Sequence, residues 1–244
     1  MDDGGEFRIG TAGWSIPRQQ AAAFAREGSH LERYARLFRA VEINSSFYRP
    51  HRPQTYARWA ASVPAEFRFS VKLPREITHN RRLTGAEQSL DQFLAEVRNL
   101  GDRLGPLLIQ LPPSLAFAEG AALGFFMALR ARFDGELVCE PRHPSWFDEP
   151  AEAALVSARI ARVAADPACV PEAALPGGWT GLVYYRLHGS PQMYSSPYSL
   201  PDIAGVACAM RLAAGQQRPS WCIFDNTAQG KAARNALQLE TALR

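Results

Sequence analysis

Eight short apolar or β-branched runs recur along the chain, and their alternation with helical patterns limits the fold more than any other feature. They are FRIGTAGW (7–14), AVEINSSFY (40–48), FRFSVKLP (67–74), GPLLIQLP (105–112), ELVCEPRH (136–143), RIARVAADP (159–167), LVYYRLHG (182–189) and SWCIFDN (220–226). Between them stand amphipathic faces at helical spacing. One comprises Leu31, Tyr34, Ala35, Leu37 and Phe38, and a second Leu90, Phe93, Leu94 and Val97. Phe125, Phe126, Leu129 and Phe133 form a third, and Ala232, Ala233, Ala236, Leu237 and Leu239 a fourth. Strands alternating with helices imply parallel βα units. Eight such units in 244 residues predict an α/β fold, a single (β/α)8 TIM-like barrel spanning 1–244. No linker divides the chain, and residues 1–6 read as a disordered N-terminal tail. GTAGW carries glycines without the GxGxxG spacing that a doubly wound dinucleotide fold would show.

In such a barrel the chemistry lies where strands end, so the residue at each exit matters. Side chains alternate faces along a strand. Glu42 therefore shares a face with Asn44, Ser70 with Lys72, Glu140 with Arg142, and Arg186 with His188. The residues between them include Ile43, Val71 and Leu187, which suit packing under helices. Gln110, Asp166, Tyr184, Asp225 and Asn226 add to the same end. Burying so many charges is unfavourable unless they pair or meet a ligand. Ion pairs such as Glu42 with Lys72, and Glu140 with Arg142 or Arg186, are the bland alternative. Collection of the whole set at one end argues for a site.

The candidate catalytic residues are His188, Glu140, Lys72 and Glu42. His188 is the expected acid/base, followed by Gly189, which lets the chain turn. Lys72 suits a Schiff base or a charge partner, and the second role is favoured. Candidate substrate contacts are Asn44, Tyr48, Gln110, Arg142, His143, Trp146, Arg186 and Asn226, with Trp14, Tyr194 and Tyr198 as rim aromatics. The stretch 188–202 is long enough to act as a lid. Residues 225–239 lead into the last helix, whose first amides suit an anion.

The remaining sequence narrows the setting. Hydrophobic residues make up 47% and charged residues 21%, as in a globular protein with a substantial core. The net charge of +3 is too small to imply nucleic acid by itself. Cys139, Cys169, Cys208 and Cys222 fit no zinc spacing, and free thiols suit a reducing compartment. No signal-like or membrane-spanning run appears, so the expected location is cytoplasmic. No cofactor is called for. A metal site on Glu42, Glu140, Asp166 and His188 is disfavoured by the neighbouring cations.

Taken in order, IGTAGWS, YARLFRAVEINSSFY, FRFSVKLPREITH, LGPLLIQLPPS, EPRHPSWF, YYRLHG and FDNTAQGKAARNAL resemble the YecE-like family, domain-of-unknown-function family 72. The resemblance runs from residue 8 to about 239. It implies a TIM barrel and supplies no reaction. It carries over Glu42, Asn44, Tyr48, Lys72, His79, Gln110, Glu140, Arg142, His143, Trp146, Arg186, His188, Gly189 and Asn226. Pro141 and Asp225 depart from the family pattern, which favours an aromatic residue and asparagine there. The expectation is an enzyme using acid/base chemistry on a small anionic or sugar-like molecule. A metal-dependent hydrolase, isomerase or phosphodiesterase and a non-catalytic nucleotide- or RNA-binding module stay open, the latter through Arg81, Arg82, Arg142 and Arg186.

Overall fold

The computed structural model describes residues 7–244, so the expectation for the first six lies outside the described residues. Among the described residues ten strands form two sheets. One has the order β1 (Phe7–Thr11), β10 (Ser220–Phe224), β9 (Val183–Leu187), β7 (Ala164–Asp166). The other runs β2 (Ala40–Ile43), β3 (Arg68–Lys72), β4 (Leu104–Gln110), β5 (Leu137–Glu140), β6 (Ile160–Arg162), β8 (Gly177–Gly178). All pairings are parallel except β6 with the short β8.

The sheets meet at two seams. At the first, Ala12 bridges in parallel to Glu42, and the Gly13 amide donates to the Glu42 carbonyl at 2.9 Å. This close approach depends on Gly10, where an added Cβ would lie 2.2 Å from the Ala40 carbonyl oxygen. At the second, β6 and β7 are one run of chain interrupted at Val163. Its first half pairs with β5 and its second half with β9.

Helices α1 (His30–Ala35), α2 (Pro53–Ala61), α3 (Glu87–Val97), α4 (Glu119–Arg130), α5 (Glu149–Ser157), α6 (Leu200–Gly215) and α7 (Lys231–Leu243) connect the strands. Four lie where apolar spacing predicts helices. Of the other three, α5 and α6 carry weak patterns, α6 being alanine-rich, and α2 buries only Tyr56. A capping box between Ser199 and Asp202 starts α6 at Leu200. The exit segment of β9 therefore ends at 199, three residues earlier than the expected loop.

The alternation along the strands sorts their side chains into two separate apolar clusters. Ile43, Val71, Ile109, Cys139, Leu187 and Cys222 belong to the larger one, which is shared with the helices. Leu108, Val138, Ala161, Tyr184, Trp221 and Ile223 form the smaller one, drawn from strands of both sheets. Tyr184 stacks on Trp221 with ring centroids 5.8 Å apart. Gly105 leaves the room that Trp221 occupies, since a Cβ there would sit 2.9 Å from its ring. One step further along the same strand faces the apolar residues give way to Glu42, Lys72, Gln110, Glu140, Arg186 and Asp225, all buried.

Candidate functional site

Arg186 is fully buried at the centre of this polar layer. Its Nε donates to Glu42 Oε2 at 3.0 Å and its Nη2 to Glu42 Oε1 at 2.7 Å, a two-point fork. Nη2 also reaches Asp225 Oδ2 at 3.2 Å, and Nη1 donates to Glu140 Oε2. One guanidinium thus engages carboxylates from β2, from the end of β5 and from the residue after β10. The Tyr184 hydroxyl donates to Glu42 Oε2 at 3.0 Å and accepts from Ser70 Oγ at 2.8 Å.

His188 lies between two carboxylates. Its Nε2 is 3.1 Å from Glu140 Oε1 and its Nδ1 is 3.1 Å from Asp225 Oδ2. Burial alone would depress the imidazole, but Glu140 and the bond to Asp225 outweigh it and raise its pKa. The guanidinium nitrogens of Arg142 and Arg186 stand farther from Nε2, at 3.4 and 3.5 Å. The nearer acids therefore decide its state, and both ring N–H groups donate. Burial likewise opposes ionisation of Glu140, yet Arg186, His188 and Arg142 hold its carboxyl well below the usual range. Asp225 is lowered too, its burial overcome by His188 and Arg186.

Arg142 closes the set at the solvent side. Its Nε and Nη2 both contact Glu140 Oε1, at 2.9 and 2.8 Å, and 20% of its side chain is exposed. Both ion pairs expected for Glu140 are therefore present. The expected pair of Glu42 with Lys72 is not: Glu42 is taken by Arg186, whose fork satisfies both carboxylate oxygens. Lys72 instead places Nζ 4.1 Å over the Phe47 ring. Burial, then repulsion from Arg186, brings its pKa down to about 8 despite attraction from Glu42, Glu140 and Asp225.

Beyond β3 a π-helical turn (Glu76–Asn80) carries His79 into this neighbourhood. Its ring contacts Phe47 edge-on at 4.9 Å, and Nδ1 is 2.9 Å from Thr78 Oγ1. Burial, with Lys72, Arg75 and Arg142 adding, lowers its pKa to about 4, so it is neutral at pH 7. Tyr194 sets its ring edge-on to His188 at 5.9 Å and is 40% exposed.

Other candidates lie apart or serve packing. Trp146 is buried, donates Nε1 to the Leu115 carbonyl at 2.8 Å and meets Phe117 and Phe126. Tyr198 ties the β9 exit to β7: its hydroxyl donates to Asp166 Oδ2 at 2.6 Å and accepts from the Gly189 amide at 2.8 Å. Trp14 packs against Trp59 and Phe69. His143 binds the Ser145 hydroxyl through Nδ1 at 2.9 Å, and Tyr48 is exposed beside Phe47. Gln110 stands opposite Glu140 in the strand ladder. Asn226 donates to Ser196 and Asn235, while its Oδ1, like that of Asn44, is buried without a partner.

Arg82 is tied to Ser114, and Arg81 to Glu76 and Gly85. A cavity of about 230 Å³ separates the β1 exit from the start of α7, lined by Thr11, Gly13, Ser15, Thr227 and Gly230. Among the described residues no group of three or more His, Cys, Asp or Glu side chains is placed to hold a metal ion.

Asp225, Tyr184 and Ser70 are central contacts that were read only as strand-exit neighbours. Alternation gave their face, and the departure at Asp225 was the one further signal. Phe47 lies under Lys72 and supports it.

The fold has counterparts of known structure. A DUF72 family protein from Enterococcus faecalis V583 superposes with a TM-score of 0.81 at 21% identity, covering 97% of this chain and 95% of its own. A DUF72 family protein from Thermotoga maritima MSB8 gives 0.79 at 25% identity, covering 98% and 99%. The model described as "Protein of unknown function DUF72" matches residues 8–244, and the chain belongs to that family. UPF0759 protein YecE of Escherichia coli K12 is 33% identical over 141 residues, 57% of this chain and 49% of that protein. UPF0759 protein YunF of Bacillus subtilis 168 is 24% identical over 148 residues, 58% and 52% respectively. The chain thus spans about half the length of these relatives. No helix among the described residues is long and apolar enough to cross a membrane.

Proposed function

We propose that the two sheets close into one (β/α)8 barrel over a single domain, and that its polar end binds a small anionic or sugar-like substrate for acid/base chemistry. The barrel reading rests on the inner apolar cluster, which takes side chains from both sheets, and on Arg186 of one sheet, which binds Glu42 and Glu140 of the other and Asp225 at the end of its own. Two sheets packed face to face could enclose a similar core, but here the end of β1 bridges to β2 through Ala12 and Glu42, and the β6–β7 run pairs with β5 on one side and β9 on the other, which supports closure.

The observation that carries the functional reading is the charge balance of the layer. Glu42, Glu140 and Asp225 are matched by Arg186, Arg142 and the His188 imidazolium. Lys72 is then one cation in excess, close to the half-exposed neutral His79. Such a set attracts an anion, and the Glu140–His188–Asp225 line can relay a proton. The guanidiniums and His188 already occupy the carboxylate oxygens, which favours this reading over a metal centre.

A calorimetric screen of short carboxylates, phosphates and sugar phosphates tests it. One class should bind the wild type, and Arg142→Ala should weaken it about 10- to 100-fold, as removal of a charged hydrogen bond does. Affinity unchanged in both Arg142→Ala and His188→Gln would sink the proposal.

A further inference from the structure

Of the chain's 27 lysines and arginines, only Lys72 and Lys231 are lysines. Arginine supplies every other side-chain cation of this pair, including both guanidiniums of the site. A guanidinium stays protonated, whereas an amine that loses a proton becomes a nucleophile. At position 72 the chain therefore has the one chemistry that arginine cannot provide.

The surroundings suit that use. Lys72 ends β3 in the polar layer and keeps 8% of its surface. Among the described residues no ion pair or side-chain hydrogen bond engages its ammonium, which rests on Phe47. An ammonium kept only for structure would be expected to join a carboxylate, and three stand within electrostatic reach. All three are held by Arg186 instead. Arg142, meanwhile, spends Nε and Nη2 on Glu140 and has Nη1 left over. The Lys72 ammonium and the His79 ring both lie against Phe47, and Lys72 and Arg142 both act electrostatically on that imidazole, so an amine and a spare guanidinium edge stand at the same end of the strands.

We propose that Lys72 forms a Schiff base with the carbonyl of a short carbonyl compound whose carboxylate or phosphate is held by Arg142. This rests on the anionic-substrate reading above. The Lys72 ammonium first releases a proton, and the Nζ lone pair attacks the carbonyl carbon as the C=O π pair moves to oxygen. The carbinolamine then loses its oxygen as water, which carries away two protons, the released one and a second from Nζ. Ammonium and carbonyl thus give an N-protonated imine and water, with no oxidant or reductant consumed. The imine draws electrons from the adjacent carbon, so a proton or a carbon substituent there becomes labile. The lowered pKa of the amine supports the first step, since near pH 8 about half the molecules hold it free. Besides burial, the charged groups that set this value are Arg186, Glu42, Glu140 and Asp225, and His79 lies against the same Phe47 ring.

The full chain is incubated with pyruvate or dihydroxyacetone phosphate and cyanoborohydride, then weighed intact and peptide-mapped. In parallel, lactate and glycerol 3-phosphate, which lack the carbonyl, are titrated calorimetrically. One reduced adduct should appear at Lys72, persist in Lys231→Arg, vanish in Lys72→Arg, and form faster as pH rises through about 8. Whether pyruvate or the phosphate reacts identifies the anion. Adducts confined to Lys231 or the N-terminus overturn the proposal. Binding of lactate or glycerol 3-phosphate that depends on Arg142, with no Lys72 adduct from either carbonyl compound, overturns the Schiff base and leaves the anionic reading standing. Neither binding nor adduct overturns both.

Discussion

Replacing Arg186 by methionine removes the one cation shared by three buried carboxylates while keeping a long apolar side chain in place. Glu42 loses both arms of its fork and retains only the Tyr184 hydroxyl, and Glu140 keeps Arg142 and His188. Breaking a buried pair from one side costs about 3–5 kcal/mol, because the partner charge stays desolvated. For a chain of this size that is roughly 6–20 °C in Tm. Urea unfolding, followed by tryptophan fluorescence, reads the loss directly.

The pH dependence makes the prediction sharper. In the wild type the folded-state pKa values of Glu140 and Asp225 are depressed. Their contribution is full above the unfolded carboxylate range and fades as pH falls through the folded values, so acid destabilises the protein. Without Arg186, Glu140 and Asp225 lose a cation that holds their carboxyls low, so less of this acid-sensitive stabilisation remains. Below about pH 5 the variant should therefore lose less further stability on acidification than the wild type. Adding Glu42→Gln to Arg186→Met should restore part of the deficit at pH 7, because it removes the carboxylate that lost its guanidinium. A loss within about 1 kcal/mol of zero, or parallel pH profiles for the two proteins, would refute the view that these carboxylates are ionised and held by Arg186.

Three further outcomes follow from separate parts of the structure. Tyr198→Phe deletes the hydroxyl joining Asp166 to the Gly189 amide; hydrogen exchange should quicken across 188–199, with a loss of about 1–3 kcal/mol. Gly10→Ala would press a Cβ against the Ala40 carbonyl at the first seam; the expected loss is roughly 1–3 kcal/mol by denaturant titration, and a neutral result would mean β1 can move away from β2. Trp146→Phe removes one bond to the Leu115 carbonyl; it should cost about 1 kcal/mol and leave the affinity of any anion found for the wild type unchanged. A weakened anion would return Trp146 to the site.

The strand alternation was legible because it depends only on the two-residue period. It assigned Ile43, Val71 and Leu187 to the helix-facing core, and Glu42, Lys72, Glu140 and Arg186 to the opposite face, as the packing has them. Helices with little amphipathic contrast escaped it, α6 above all, because alanine packs on either side of a helix without marking one. The split of the sixth strand at Val163, with separate partners for each half, has no local signature. Trp146 was also unreadable: an aromatic after a strand exit can turn toward the mouth or back into the helices, and the Leu115 carbonyl that draws it inward lies 31 residues away.

Partner choice within the polar layer is where period alone runs out. Two residues on one face of neighbouring strands look like natural partners, which made Glu42 and Lys72 the expected pair. What decides is reach and donor geometry. Arg186, 144 residues from Glu42, meets both of its oxygens with a planar fork that a lysine cannot reproduce. Once that fork is made, Glu42 is satisfied, Glu140 is shared between Arg186, Arg142 and His188, and Asp225 is shared between Arg186 and His188. No carboxylate is left for Lys72. The same preference of carboxylates for guanidinium that holds the layer together therefore also keeps one amine unpaired, and the reactivity proposed for Lys72 depends on Arg186 as much as on the lysine. Arg186→Lys should test that link: a point charge in place of the fork frees Glu42 to pair with Lys72, which would raise the pKa of the amine. Trapping with pyruvate or dihydroxyacetone phosphate should then slow at pH 8 and recover at higher pH. An unshifted pH profile in that variant would mean that Lys72 is set by burial alone.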